Sequence, residues 1–274
     1  MANMAIIGHG FVGKAVDYAF NNDMVEKYIV DPKYDTKITD PQVPLAEVAF
    51  VCLPTPMGEN GEINSDILVD AVEYLKYNTQ SLIIVKSTVT PEIIDALGSG
   101  PGGGRVVYNP EFLREATAVA DIITPSMHIF GGEKKATEYA EKFFNDYSLC
   151  KAAPVYHMSL IDASFVKYGI NSFLASKVLW FNQFYDIVKK NGGNYGQVAR
   201  AISTDERIGY SHIMVPGPDG KRGFGGACFP KDTSAFLEFA GSFSILEEVI
   251  KRNNEYRKGY EKDDREKEQN IRYD

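Results

Sequence analysis

Met-Ala-Ile-Ile-Gly-His-Gly-Phe-Val-Gly, residues 4–13, decides the fold. Met4 to Ile7 reads as a short apolar strand. Gly8, Gly10 and Gly13 follow in G-x-G-x-x-G spacing with Phe11 and Val12 inside the motif, and Lys14, Ala15, Val16 and Ala19 continue as a helix. The first glycine permits a tight turn, the second lets a pyrophosphate approach the backbone, and the third lets helix and strand pack, so a phosphate rests on the helix N-terminus. A second strand, Lys27 to Val30, ends at Asp31, the distance at which an acid bonds the adenosine ribose hydroxyls. A carboxylate there repels a 2′-phosphate, so NAD is expected over NADP.

Working outward, apolar β-rich runs alternate with helical patterns from Met4 to about Cys150. Val48 to Leu53, Leu82 to Lys86, Val106 to Tyr108 and His128 to Gly131 read as strands; Ser65 to Lys76, Pro91 to Leu97 and Thr137 to Phe144 read as helices. The alternation implies an α/β, Rossmann-like, doubly wound and mostly parallel sheet, with ligand at the carboxyl ends of its strands. Those ends carry Pro54-Thr55-Pro56, Ser87-Thr88-Val89 and Asn109-Pro110-Glu111-Phe112-Leu113-Arg114-Glu115. Taken singly, Pro-Thr-Pro can stiffen a loop and Asn-Pro can start a turn; together they point at one rim.

After Leu160 the pattern becomes a long amphipathic helix, Ile161 to Lys190, whose expected apolar face carries Phe165, Val166, Phe173, Leu174, Val178, Phe181, Phe184 and Val188. Lys167 and Asn171 stand one helical turn apart, so an ammonium and an amide share a face suited to a substrate hydroxyl or oxyanion. A glycine-rich turn, Asn191 to Gly196, leads to a helix through Val198 to Ile202, then Arg207-Ile208-Gly209 and a Pro- and Gly-rich loop, Tyr210 to Arg222. Gly223 to Asp232 reads Gly-Phe-Gly-Gly-Ala-Cys-Phe-Pro-Lys-Asp. It sets Cys228 in a glycine-walled stretch just before Lys231 and Asp232, and a nearby cation is what turns a thiol into a nucleophilic thiolate. Ser234 to Phe239 and Ile245 to Asn254 read as helices, and the densely charged Glu255 to Asp274 as a solvated helix extension or disordered tail. The expected domains are 1–155, a NAD-binding unit; 156–254, an all-helical central and dimerisation unit with the cysteine loop; and 255–274, a tail.

Composition sets the outer bounds. The 274 residues are 44% hydrophobic and 24% charged, enough for one substantial core or two modest ones. Three widely spaced cysteines, Cys52, Cys150 and Cys228, argue against a disulfide framework and for a reducing, cytoplasmic setting. The net charge of −8 argues against nucleic acid as a partner, and no run is long enough for a membrane span. No metal site is expected.

These motifs, taken in order, resemble the UDP-glucose/GDP-mannose dehydrogenase family, and within it the UDP-glucose branch. The resemblance rests on Gly8 to Gly13, Cys52-Leu53-Pro54-Thr55-Pro56, Lys86-Ser87-Thr88-Val89, Asn109 to Glu115, Lys167 with Asn171, Arg207-Ile208-Gly209, and Gly223 to Asp232. It implies a four-electron oxidation of a nucleotide sugar C6 alcohol to the carboxylate with two NAD in succession, UDP-glucose being the leading substrate. It further implies Cys228 as nucleophile, Asp232 as base with Lys167 and Asn171 steadying the oxygen, and Glu111 and Thr88 directing the hydrolytic water. Gly8, Gly10, Phe11, Val12, Gly13, Asp31, Pro54, Thr55, Ser87, Thr88, Glu115 and Lys231 are the implied cofactor contacts. Substrate contacts would come from Glu111, Phe112, Leu113, Arg114, Lys167, Asn171, Phe224 and Gly225, from Arg207 reaching a neighbouring subunit, and from Lys221 and Arg222 near the diphosphate. A homodimer through the long helix follows from the same resemblance. The family's C-terminal nucleotide-binding domain has no counterpart after the tail, which leaves a reduced version, a fragment, or a domain supplied by another chain. Two other readings stand beside this one: a two-electron hydroxyacid dehydrogenase, and a non-catalytic or partner-dependent NAD-binding module.

Overall fold

The computed structural model describes residues 1–274. In chain order the elements are β1 (Ala2–Ile7), α1 (Phe11–Ala19), β2 (Val25–Val30), β3 (Val48–Val51), α2 (Asp66–Asn78), β4 (Leu82–Val85), α3 (Pro91–Leu97), β5 (Val106–Tyr108), α4 (Ala118–Ile123), β6 (His128–Gly132), α5 (Lys134–Tyr147) and β7 (Val155–Met158). Helices then take over: α6 (Leu160–Lys190), α7 (Tyr195–Ser203), α8 (Phe229–Ala240), α9 (Ser244–Arg257) and α10 (Asp264–Glu268). The chain divides into two compact units, Met1–Thr55 with Ser65–Lys167, and Pro56–Asn64 with Tyr168–Asp274.

In the first unit the strands form one sheet in the order β2-β1-β3-β4-β5-β6-β7, parallel except for the β5–β6 pair. β3 and β4 are buried along their whole length, as unbroken Val-Ala-Phe-Val and Leu-Ile-Ile-Val runs require when helices cover both faces of a parallel sheet. Register puts Ile7 opposite Val30 and Val51, Val51 opposite Val85, and Val85 opposite Tyr108. The next residue of each strand, namely Gly8, Asp31, Cys52, Lys86 and Asn109, therefore lies along one edge. The order turns about β1, which has β2 on one side and β3 on the other, and such a switch point is where open α/β sheets take nucleotides. Phe20, Phe50, Phe130, Phe143 and Phe144 fill the core beneath, Phe20 meeting Phe50 and Phe144 at centroid distances of 5.2 Å. Each such ring taken out of water contributes about 1.5–3 kcal/mol.

β7 and α4 lie outside the strands and helices expected from sequence, and α8 begins at Phe229 rather than Ser234, its proline standing in the first turn where a missing N–H costs nothing. In the second unit Ala175 and Leu179 of α6 pack with Phe224, Leu246 and Val249, while Phe181 packs with Tyr195, Ala199 and Val215. Two expected apolar-face residues of the long helix are exposed instead, Phe165 at 43% and Phe173 at 68%, because the buried side of α6 runs through Ala163, Lys167, Tyr168, Asn171, Ala175 and Leu179. The charged tail is likewise not a solvated extension. Glu266, Ile271 and Tyr273 are buried, Ile271 and Tyr273 against Met57, and the acid finds buried partners described below. No helix is long and apolar enough to cross a membrane.

Candidate active site

The glycine loop is built as its spacing requires. Gly8 has φ +90°, and a Cβ there would lie 2.6 Å from the Cys52 carbonyl oxygen; one on Gly13 would lie 2.0 Å from the Gly8 carbonyl oxygen. Around Gly10, which opens α1, a Cβ would meet nothing within 4 Å, and the first turn of α1 carries no acid. A helix N-terminus with open backbone and no carboxylate fits a pyrophosphate. Asp31 ties β2 to this loop: one oxygen accepts the His9 N–H at 2.7 Å and the other the Lys33 N–H at 2.9 Å. Burial pushes its carboxyl up, but those two bonds and the neighbouring charges outweigh burial and hold it below the ordinary value. An anionic acid therefore stands where a ribose would be read, and the residues present fit NAD.

The loops after β3 and β4 are tied together: Thr55 Oγ1 donates to the Thr88 carbonyl at 3.0 Å and Ser87 Oγ to the Leu53 carbonyl at 2.7 Å. Pro54 stands between these ties, and Thr88 is buried beside them. After β5, Glu111 is buried, one oxygen accepting the Leu113 N–H at 2.6 Å. The Lys167 ammonium, 2% exposed, donates to the Glu111 carbonyl at 2.5 Å and carboxylate at 3.3 Å, and lies 5.3 Å from the Phe112 ring centroid. Arg114 forks onto Asp121 at 2.6 and 3.1 Å, and Glu115 opens an exposed turn. Two supports escaped the sequence reading of roles. Lys86 is buried and donates to Asn109 Oδ1 at 2.8 Å, while Asn109 Nδ2 donates to the Ile129 carbonyl at 2.7 Å, so the pair fixes the root of the Glu111 segment. Burial pushes the Lys86 ammonium below its ordinary value.

The second unit carries the thiol. Cys228 is the N-cap of α8, at the positive end of the helix dipole, a position that favours the thiolate form of a cysteine. One turn on, Asp232 is 0% exposed and has both oxygens held: Oδ1 accepts Lys231 Nζ at 2.6 Å, and Oδ2 accepts Asn171 Nδ2 at 2.6 Å. The Lys231 ammonium, buried itself, thus neutralises the neighbouring carboxylate. Phe224 is buried and Gly225 half-buried within the loop leading to Cys228. Arg222 is held by Asp186 at 2.9 Å and by Asn182, between the rings of Tyr185 and Tyr256. Lys221 donates to the Glu261 carbonyl, and Arg207, largely exposed, pairs with Asp205 at 2.6 Å. The other two cysteines differ in kind: burial pushes the Cys52 thiol up to about 12 and raises that of Cys150, whose Sγ donates to the Ile122 carbonyl at 3.1 Å.

Residues 21–147 match the profile of the UDP-glucose/GDP-mannose dehydrogenase family, NAD binding domain, and residues 162–255 that of the same family's central domain. A UDP-glucose 6-dehydrogenase of Rickettsia felis is 34% identical over 230 residues, covering 80% of this chain and 50% of that protein. The UDP-glucose 6-dehydrogenase TuaD of Bacillus subtilis is 31% identical over 250 residues, covering 86% and 52%. The chain spans about half the length of the curated relatives it matches. Among solved structures, a UDP-glucose dehydrogenase from Pyrobaculum islandicum superposes with a TM-score of 0.76 at 27% identity, covering 93% of this chain and 68% of that one. A Mycobacterium tuberculosis 3-hydroxyisobutyrate dehydrogenase shares the fold at a TM-score of 0.69 and 16% identity, covering 91% of each chain. With two profiles of one family spanning both units, and a glycine loop and thiol loop built as described, the chain belongs to the UDP-glucose/GDP-mannose dehydrogenase family, and its residues 21–147 are that family's NAD-binding domain.

Proposed function

We propose that the protein oxidises the C6 alcohol of a nucleotide sugar, UDP-glucose in the first instance, to the carboxylate in two NAD-dependent steps through Cys228. The observation that carries the reading is the second unit's thiol loop: a cysteine at a helix N-terminus, one turn from a buried carboxylate whose two oxygens are held by an ammonium and an amide. NAD, when bound, accepts hydride from the sugar carbon. Asp232, alone or through a water, takes the alcohol proton, and Lys167 and Asn171 donate to the oxygen as charge develops on it. The Cys228 sulfur then adds to the aldehyde carbon, giving a thiohemiacetal. Loss of a second hydride converts this to a thioester, and water attacks it, breaking the carbon–sulfur bond to release carboxylate and thiol. Glu111 takes the proton of that water with Thr88 orienting it. The balance is one water consumed and two NADH formed per sugar. Asp31 reads the adenosine ribose, and the Gly8–Gly13 loop with Phe11, Val12, Pro54, Thr55, Ser87, Glu115 and Lys231 completes the cofactor contacts. Phe112, Leu113, Arg114, Phe224, Gly225, Lys221 and Arg222 contact the sugar nucleotide; Arg207 serves the neighbouring subunit of a dimer formed through α6.

The test is NADH formed per UDP-glucose consumed by the purified chain with NAD in excess. Two is expected, and none with NAD still bound would overturn the reading. A second reading, a two-electron hydroxyacid dehydrogenase, draws on the fold shared with the 3-hydroxyisobutyrate enzyme over 91% of each chain and on the Lys167–Asn171 spacing. It needs no thiol, so unaltered turnover in Cys228→Ser would favour it.

A further inference from the structure

The thiol loop is held by its backbone from three directions within its own unit. Gly223 N–H donates to Asn182 Oδ1 of α6 at 3.0 Å, Phe224 N–H to Asn253 Oδ1 of α9 at 2.7 Å, and Gly226 N–H to Glu266 Oε1 of α10 at 3.0 Å. Of the three, the bond to Glu266 is nearest in sequence to Cys228. The same Glu266 oxygen accepts Arg257 Nη2 at 2.9 Å and the Tyr273 hydroxyl at 2.6 Å; the other accepts the Asp263 N–H at 3.0 Å, closing a capping box. Arg257, 1% exposed, turns its other arm to Asp219 at 2.7 Å. A Cβ on Gly225 would lie 1.8 Å from Arg257 Nη2 and 2.7 Å from Glu266 Oε1, so the loop lies directly on this ion pair. Burial raises the Glu266 carboxyl, but the bonds from Tyr273, Asp263 and Gly226 and the Arg257 charge outweigh it, so the group is anionic.

A buried ion pair is poor value as a stabiliser, since apolar packing of the same volume commonly does as well. What apolar packing cannot do is accept the N–H of Gly226. We propose that the segment Asp263–Tyr273 clamps the thiol loop, with Glu266 as the positioning residue that fixes Gly226 and through it the aim of the Cys228 sulfur. The inference rests on Cys228 being the nucleophile. Attack on an aldehyde carbon tolerates little misplacement, about 1 Å costing ~10²-fold in rate. Loosening the clamp therefore slows the aldehyde-to-acid step more than it weakens sugar binding.

The experiment uses Glu266→Gln in the full chain. By NMR amide exchange, Gly226 exchanges roughly 10-fold faster, because the neutral amide oxygen of Gln accepts its N–H more weakly than the carboxylate does, while Gly223 and Phe224 keep their protection. With the sugar aldehyde as substrate, kcat for acid formation falls ~10²-fold, a far larger effect than any rise in KM for the alcohol. Unaltered Gly226 exchange, or equal acceleration of every amide in the second unit, would overturn the proposal. Should Glu266→Gln not fold, Tyr273→Phe, which removes only the 2.6 Å bond to the same oxygen, is read the same way with a smaller rise. If the unaltered chain makes no acid, the reading of Cys228 fails, and Gly226 exchange still decides the clamp.

Discussion

The glycine loop and the thiol loop are both glycine-rich turns ahead of a helix, yet they are held by different means. Gly8 donates its N–H to the Val30 carbonyl at 2.8 Å and Gly13 lies against the Gly8 carbonyl, so the first loop is fixed largely by main chain to main chain at the end of a sheet, helped by the Asp31 carboxylate at the His9 N–H. The second is fixed by side chains, Asn182, Asn253 and Glu266, reaching its N–H groups from three helices. A main-chain scaffold is indifferent to most substitutions and intolerant of a few. A side-chain scaffold can be loosened one partner at a time, which suits a loop asked to aim a reactive atom.

The sharpest division is expected from Cys228→Ser. Acid formation falls by at least ~10³-fold, while NAD binding at the glycine loop is unchanged by calorimetry; loss of both would mean the loops are not separable. Next comes Gly13→Ala, whose methyl would meet the Gly8 carbonyl oxygen at 2.0 Å. Main chain cannot swing aside, so about 3 kcal/mol of stability is lost in denaturant titration. Gly10→Ala, with open space around it, changes stability by under about 0.5 kcal/mol but weakens NAD about tenfold, or 1.4 kcal/mol. In the thiol loop, Asn253→Ala removes both bonds to Phe224 and costs about 2 kcal/mol; a cost confined to local amide exchange would sharpen the contrast, and no cost would break it.

The smallest effect is acid sensitivity, which separates the units. Burial, and then the Lys86 charge, pushes His128 from 6.5 down to about 4. Between those values the unfolded chain binds a proton that the folded one refuses, so the stability of the first unit falls as pH drops from 6.5 toward 4 and levels off below. Glu266 is anionic in the fold, so its contribution is full above 4.5 and is lost as pH falls through its lowered value. Denaturation at pH 7, 5 and 4 should weaken the first unit before the second, and His128→Gln should flatten that slope.

The first loop was legible in sequence because everything it needs is nearby and repetitive: an apolar strand, three spaced glycines, and an acid at the end of the next strand. β7 escaped because Val-Tyr-His-Met is half polar and carries an exposed Tyr156 and His157 at the sheet edge, and α4 because it spans only Ala118–Ile123. Cys228, Lys231 and Asp232 could be picked out by residue type. Their supports could not, since Asn182 sits in a helix and Glu266 in a stretch of mixed charge that composition assigns to solvent. One signal was available: Asp263 and Glu266 have the spacing of a capping box, which marks a helix start and argues for order in that stretch.

The unequal burial of the three thiols has a practical corollary. Cys52 is 8% exposed behind Gly8 with its thiol pushed up to about 12, and burial raises Cys150 as well. A mild electrophile or peroxide added in limiting amount is therefore consumed at Cys228, the one sulfur at a helix N-terminus. On the proposed role of Cys228, equivalents of reagent consumed then count competent molecules in any preparation, and the folded chain serves as its own active-site titrant.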